Sequence, residues 1–420
     1  MIKPHIVILG AGFGGTYVAK RLAPLVKKRE LDVTIINRTN YFLFTPLLHE
    51  VATGSLSPSS VAEPLREVFV GSGIELCQGI VESVNMRDCR IHITGAGKRH
   101  TLTYDRLIIA TGAETNYYGI PGAEKLALPL KDLDDAARIR DRVIDSFEAA
   151  ILRDDPAERS RLLSFAIVGG GPTGVELAAE LSEFVKIMLD RYYSCTNHPL
   201  EDIPKCSAEE PKISLIHTEK ELLMQFPESL RKSAEERLRV NKVNLHLGVS
   251  VSAVTPHGLT LSNNTTISAG TVIWTAGVKA IIPDFTYIMP EMKAGRLVVD
   301  EYFRVSGSEK VFALGDVASN APMLAQAAVQ QAKIVANNVL ASLSQGKFKT
   351  FEFKSKGGMV SVGSWFAVGE IFSMDIAGKF AWWIWRTIYL FKFLSWKKRI
   401  RIALEWTLAI FFPRDITKLK

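Results

Sequence analysis

The chain has 420 residues, 47% of them apolar and 23% charged, which is enough for two globular domains and something more. The four cysteines (Cys77, Cys89, Cys195, Cys206) form no CxxC pair and have no histidine at zinc spacing, which argues against a metal site and for a reducing compartment. The net charge of +7 is uneven: from Lys379 onward ten Lys or Arg face only Glu405 and Asp415, so the rest of the chain is close to neutral, against a nucleic-acid-binding body.

The N-terminus enters an apolar run at once, which leaves no room for a signal or transit peptide and makes the cytoplasmic side the expected location. Residues 5–9 (HIVIL) read as a parallel strand buried on both faces. Gly10-Ala-Gly12-Phe13-Gly14-Gly15 follows, then a helical stretch to about Val26. Gly10 permits the tight turn, Gly12 admits a pyrophosphate to the backbone, and Gly15 lets helix and strand pack closely. A second strand, 33–36, ends at Asn37 where an acid would bond a ribose hydroxyl; Asn37 can still bond the diol, without charge. Arg38 reads equally as an adenine-stacking or a solvated residue.

The pattern returns later. Strand 164–168 (SFAIV) leads into Gly169-Gly-Gly171-Pro172-Thr173-Gly174 and a helix to about Asp190, too far from the first fingerprint for one unit and suited to a second domain. Residues 191–211 read as an inserted surface loop. Strand 212–216 ends at His217, which lacks the carboxylate that would repel a 2′-phosphate; it reads equally as a cofactor contact or an exposed strand end. Glu176, placed in the first turn of the helix, is either a carboxylate steadied by the helix dipole or a proton-handling group beside the nicotinamide.

Further stretches complete a resemblance. Ala110-Thr111-Gly112, Thr275-Ala276-Gly277 and Gly315-Asp316 are similar to the motifs of two-dinucleotide-domain flavoprotein reductases over roughly 1–340. Residues 41–54, with Thr45-Pro46, and Ala325-Gln326-Ala-Ala-Val-Gln330-Gln331 resemble the type II NADH dehydrogenases, single-chain NADH:quinone oxidoreductases. The resemblance implies an FAD site at Gly10, Gly12, Phe13, Gly14, Gly15, Asn37, Arg38, Thr45, Pro46, Val81, Ala110, Thr111, Gly112, Gly315, Asp316 and Ala325. It implies an NADH site, with NADPH admitted, at Gly169, Gly171, Pro172, Thr173, Gly174, His217, Ala276 and Gly277. Gln326 and Gln330 lie four residues apart on one helix face and would bond quinone carbonyls without adding charge, with Lys356 and Lys379 at the quinone mouth. Asn37 and His217 depart from the usual acids, and Tyr389 stands where a family histidine is expected.

The absence of cysteine from residues 38–66 excludes disulfide-reductase chemistry on the first domain, and Cys77 and Cys89 are expected on an outer hairpin, away from a flavin. Residues 378–413 are rich in aromatics broken by Lys and Arg. No charge-free run there approaches the roughly 20 residues of a membrane span, and the composition is that of helices lying in the headgroup layer; core packing or a dimer contact is the plainer reading.

The expected fold is α/β: two Rossmann-like domains, FAD (1–113 with 295–340) and NAD(P)H (114–294), plus a C-terminal amphipathic membrane-associating region (341–420). The expected protein is a peripheral membrane oxidoreductase, on the cytoplasmic face, that passes a hydride from NADH to FAD and two electrons to a membrane quinone without proton pumping. A homodimer is compatible with this. A naphthoquinone-biosynthetic reductase of the same build, or a flavin-binding redox sensor with little turnover, are the alternatives.

Overall fold

The computed structural model describes residues 3–193, 211–371 and 374–418, so most of the expected 191–211 insertion, with Cys195 and Cys206, lies outside the described residues. Two compact units emerge: one of residues 1–43, 62–114 and 278–355, the other of 44–61, 115–277 and 356–420.

The first unit is built on a five-stranded sheet, in the order Val311–Ala313, Arg106–Ile109, His5–Leu9, Asp32–Asn37, Glu75–Gln78, with every pairing parallel. Unbroken runs of Val, Ile and Leu form these central strands because both faces are covered. On one face the strands join a core with Ile91, Ile93, Tyr104 and Phe285. Helices Phe13–Lys27 and Ala325–Ser344 pack along each other in the same unit. A smaller sheet joins Asp284–Thr286 in parallel to Ile80–Asn85, followed by antiparallel Arg90–Gly95 and Lys98–Thr103. That pairing is why residues 278–294 fall in this unit and not with the second dinucleotide sheet. Cys77 is corrected from the expected hairpin to the edge strand Glu75–Gln78 of the parallel sheet, whereas Cys89 does sit in the turn between two antiparallel strands.

The second unit repeats the plan. Its sheet runs Leu128–Pro129, Thr271–Trp274, Ser164–Val168, Lys212–His217, Val243–Leu247, again all parallel. In both sheets the strand before the glycine loop is central, and the order reverses beside it, which is where doubly wound sheets take their ligands. A three-stranded antiparallel sheet (Gly358–Ser361, Ala367–Ile371, Met374–Gly378) and two helices, Lys379–Lys392 and Trp396–Phe411, complete it. No helix among the described residues is long and apolar enough to cross a membrane.

The aromatic tail divides between two tasks. Trp382, Trp385, Phe393 and Trp406 are buried, with Phe393 4.4 Å from Phe44 and Trp385 6.2 Å from Trp406 between ring centroids. Phe380, Trp383, Phe391, Trp396, Phe411 and Phe412 are exposed. Only these exposed aromatics are open to a membrane surface, because Trp385, Phe393 and Trp406 pack against segment 44–61 and Trp382 against Trp365.

Candidate active site

The glycines of the first loop act as their spacing suggests. Gly10 has φ +95° and a Cβ there would meet Ala110 O at 2.3 Å, while a Cβ on Gly15 would meet Gly10 O at 1.9 Å. A Cβ on Gly12 would point into open space, the side a pyrophosphate takes. The helix from Phe13 has no side-chain cap and no acid in its first turn, so its positive end is left for an anion. The second loop matches it. Gly169 has φ +119°, a Cβ on Gly174 would meet Gly169 O at 1.8 Å, Gly171 opens onto space, and helix Pro172–Met188 starts uncapped.

Both strand-end residues turn out to anchor these loops. The Ala11 N–H donates to Asn37 Oδ1 (2.9 Å), and the Gly170 N–H donates to His217 Nδ1 (3.2 Å). Ala11 and Gly170 hold the same place, between the glycines at the first and third positions of each fingerprint. Asn37 Nδ2 also donates to Thr39 O (2.9 Å) and Thr39 Oγ1 (3.0 Å), so both amide hydrogens are spent within the loop. A ribose would find the acceptor oxygen and not the donors. His217 accepts through Nδ1, so Nε2 carries its proton; burial lowers its pKa and keeps the ring neutral. A recess lined by Ile35, Asn37, Thr39, Leu65, Arg66 and Gln78 opens beside the strand ends; Arg38 is exposed next to it.

Other expected flavin residues gather in the first unit. Thr111 Oγ1 donates to Ile281 O (2.5 Å), Gly112 and Gly315 hold left-handed φ of +74° and +75°, and Phe13 meets Phe42 edge-on at 5.1 Å. Val81 lies partly buried on strand Ile80–Asn85, and Arg296 Nε donates to Asp316 O (2.9 Å). Gln331, not singled out from sequence, is fully buried and accepts from the Gly315 N–H at 2.7 Å, pinning the Gly315-Asp316 turn. Its Nε2 is buried with no hydrogen-bond partner in the described structure. That orphan donor and the open cradle at Gly12 fit a flavin dinucleotide in this unit. Thr45 and Pro46 instead lie in the second unit, on the turn Thr45–Leu47.

Ala325 opens helix Ala325–Ser344, and Gln326 and Gln330 share its face: Gln330 Nε2 donates to Lys354 O (2.8 Å) and, at 3.5 Å, to Gln326 Oε1, while the Lys354 N–H donates back to Gln330 Oε1 (3.4 Å). Gln330 is therefore committed to the backbone. Lys356 and Lys379 are both exposed and do not share one mouth. The register of the three-stranded sheet (Gly358 with Glu370, Ala367 with Gly378) puts them at opposite ends of it.

Glu176 differs most from expectation. The helix starts at Pro172, so Glu176 lies in its second turn, facing the interior and not the dipole. It is buried, and desolvation raises its pKa well above the ordinary value. Its Oε1 accepts from the Ser361 N–H (3.3 Å) and its Oε2 lies 3.6 Å from His49 Nδ1. Glu180 and Glu183 continue the same helix face. Arg414 Nη2 donates to both, at 2.6 Å and 3.2 Å. Glu50 Oε2 accepts from Trp406 Nε1 (2.7 Å), and burial pushes Glu50 up to about 7. Sequence reading missed His49, Glu50, Glu180 and Arg414; the titratable pair His49-Glu50 inside an apolar stretch was the available signal. Ala276 O accepts from Trp274 Nε1 (2.8 Å), and Gly277 takes φ +72° against Tyr118.

Comparison with known proteins bears on the family. The family model described as pyridine nucleotide-disulphide oxidoreductase matches residues 4–332, and one described as the NDH2 C-terminal domain matches 355–415. The chain is 30% identical to the type II NADH:quinone oxidoreductase Ndh of Mycobacterium tuberculosis, covering 98% of this chain and 89% of that protein. It is 32% identical to a probable NADH dehydrogenase of Dictyostelium discoideum, over 98% and 90%. The structure of NDH2 from Plasmodium falciparum in complex with NADH superposes with a TM-score of 0.89 at 26% identity, covering 99% of this chain and all of that one. The chain belongs to the type II NADH:quinone oxidoreductase family of the pyridine nucleotide-disulphide oxidoreductases.

Proposed function

We propose that the protein oxidises NADH and reduces a membrane quinone through FAD. The observation that carries this is the repeated sheet: two units of one strand order, each with a glycine loop and an uncapped helix at its switch point. When bound, FAD would supply a two-electron carrier between the nicotinamide and the quinone. The loop Gly10–Gly15 and the Gly315-Asp316 turn, held by Gln331, bind it. Gly169–Gly174 with Ala276 and Gly277 bind the nucleotide. Neutral His217 presents Nε2–H to the adenosine ribose, so the carboxylate that rejects a 2′-phosphate is lacking and NADPH is accepted less well but measurably.

Gln330, fixed by Lys354, positions Gln326, whose amide bonds a quinone carbonyl. Glu176, kept protonated by burial, holds a proton for the reaction. The exposed apolar stripe Trp396, Ile400, Leu404 and Leu408, at four-residue spacing on one helix, beds into the lipid surface from which the quinone comes.

The test is anaerobic spectroscopy of the purified protein. NADH should bleach the flavin band and a short-chain quinone should restore it. No bleaching refutes the oxidoreductase reading; bleaching without recovery refutes only the quinone.

A further inference from the structure

Reducing a quinone to a quinol takes two electrons and two protons. The hydride of NADH brings both electrons and one proton, so each turnover draws one more proton from water. Glu176 is sealed from solvent and must be recharged after giving up its proton.

Three carboxylates, Glu176, Glu180 and Glu183, occupy one face of helix Pro172–Met188, at spacings of four and three residues. Glu183 reaches the surface, its side chain 20% exposed, and shares the Arg414 guanidinium with Glu180. Among the described residues the innermost, Glu176, bonds neither of them and is held by the Ser361 N–H. His49, from helix Leu48–Ala52 packed on this helix, lies beside Glu176 and within the field of Glu180. His49 is buried, with Nδ1 3.6 Å from Glu176 Oε2 and its ring 6.2 Å from that of Trp385. Its Nε2 is buried without a hydrogen-bond partner in the described structure. The ring also bonds the Pro46 backbone. The assignment that strands no donor puts the proton on Nδ1 and leaves Nε2 a bare acceptor.

We propose that His49 is the relay that recharges Glu176: Nε2 takes the proton of the Glu183 carboxylic acid, whose O–H breaks and is restored from water at the surface, and Nδ1 releases its proton to the Glu176 carboxylate. The proposal rests on the reading of Glu176 given above. One N–H bond forms at Nε2 as one breaks at Nδ1, so the ring is neutral before and after, with the tautomer reset by ring or proton rearrangement between turnovers. The passing imidazolium is stabilised by the Glu176 carboxylate 3.6 Å from Nδ1 and by Glu180, with Glu50 next to it on its own helix. Arg414 opposes it, Arg386 bears on Glu50 and Glu180, and Tyr389, whose phenol burial keeps protonated, lies on the Glu176 side. Burial draws His49 down to about 4, so it gives its proton up readily and does not trap it. An imidazole was expected at position 389; the one facing Glu176 comes from position 49.

His49→Gln keeps a polar side chain of similar reach that cannot pass a proton. In single turnovers, NADH should bleach the flavin of this variant within about twofold of the normal rate. Reoxidation by a short-chain quinone should fall about tenfold or more near pH 8, and less near pH 6, where protons are plentiful. Glu183→Gln, at the relay mouth, should slow reoxidation in the same pH-dependent way, and decides the matter alone if His49→Gln loses its flavin. Reoxidation within twofold of normal at both pH values in every variant that retains flavin overturns the relay. Glu176→Gln separates the two readings: if it too reoxidises normally, the role of Glu176 fails, and the relay with it. If Glu176→Gln is slow while His49→Gln is normal, only the relay fails.

Discussion

Two glycines separate the two nucleotide sites at single-residue resolution. A methyl group on Gly15 or Gly174 would sit under 2 Å from a backbone oxygen of its own loop, so the helix must move away, at a cost of about 1–3 kcal/mol. Gly15→Ala should purify with little flavin. Gly174→Ala should purify yellow yet need at least tenfold more NADH for the same bleaching, which a titration of flavin absorbance measures. His49 adds a pH signature. Burial lowers its pKa from 6.5 to about 4, so the fold prefers it neutral while the unfolded chain binds a proton below 6.5. The stability linked to it is present above 6.5 and is lost as pH falls toward 4, about 3 kcal/mol in all. Glu50 and Glu176, raised by burial, act in the opposite sense, so the comparison must be between variants. His49→Gln should gain on the unaltered chain by that amount between pH 7 and 4, read from denaturant midpoints. The roles of Gly15 and Gly174 were legible in the sequence because each depends on a carbonyl five residues earlier in its own loop. The anchoring by Asn37 and His217 was not, since it required knowing that the strand end folds back beside the loop.

At the level of elements, helix Trp396–Phe411 carries two apolar stripes with opposite fates. Ile402 and Trp406 are buried, whereas Ile400, Leu404 and Leu408 are exposed. Composition alone shows an aromatic, basic segment and cannot divide these stripes, because the division depends on which partner covers the helix. That partner is segment 44–61: Glu405 accepts from Ser60 Oγ (2.6 Å) and from the Ser57 N–H (3.1 Å), and Trp406 reaches Glu50. Deleting the tail from Gly378 would therefore remove core as well as any anchor. Paired substitutions are cleaner. Leu404→Glu with Leu408→Glu should leave the melting temperature nearly unchanged while moving the protein from the membrane pellet to the supernatant. Trp406→Ala should cost about 3–5 kcal/mol. Equal pelleting of the double variant would show that the stripe faces something other than lipid.

Over the whole molecule, the sequence displays the doubled plan plainly, since each glycine loop with its flanking strand and helix is a local pattern. It hides the affiliation of segment 44–61 and of residues 278–294, whose partners lie hundreds of residues away or on a separate small sheet. Charge is likewise concentrated: the last tenth of the chain carries the excess of Lys and Arg. Several of those cations are spent internally. Arg414 is held by Glu180 and Glu183, Arg401 by Glu405, and Lys418 by Asp145. Lys379 and Lys397 are exposed on the two tail helices, outside any of these pairs. Each basic side chain near an anionic lipid surface adds about 1 kcal/mol, and salt screens that attraction. Insertion of the apolar stripe is insensitive to charge screening. Binding to vesicles should thus have two parts: a preference for anionic over zwitterionic lipid that fades as salt rises, and a remainder that persists. Lys379→Gln with Lys397→Gln should lower affinity for anionic vesicles about tenfold or more at low salt and leave zwitterionic binding unchanged, as measured by sedimentation. Equal loss on both lipids would mean that these lysines support the fold of the tail and do not face the membrane.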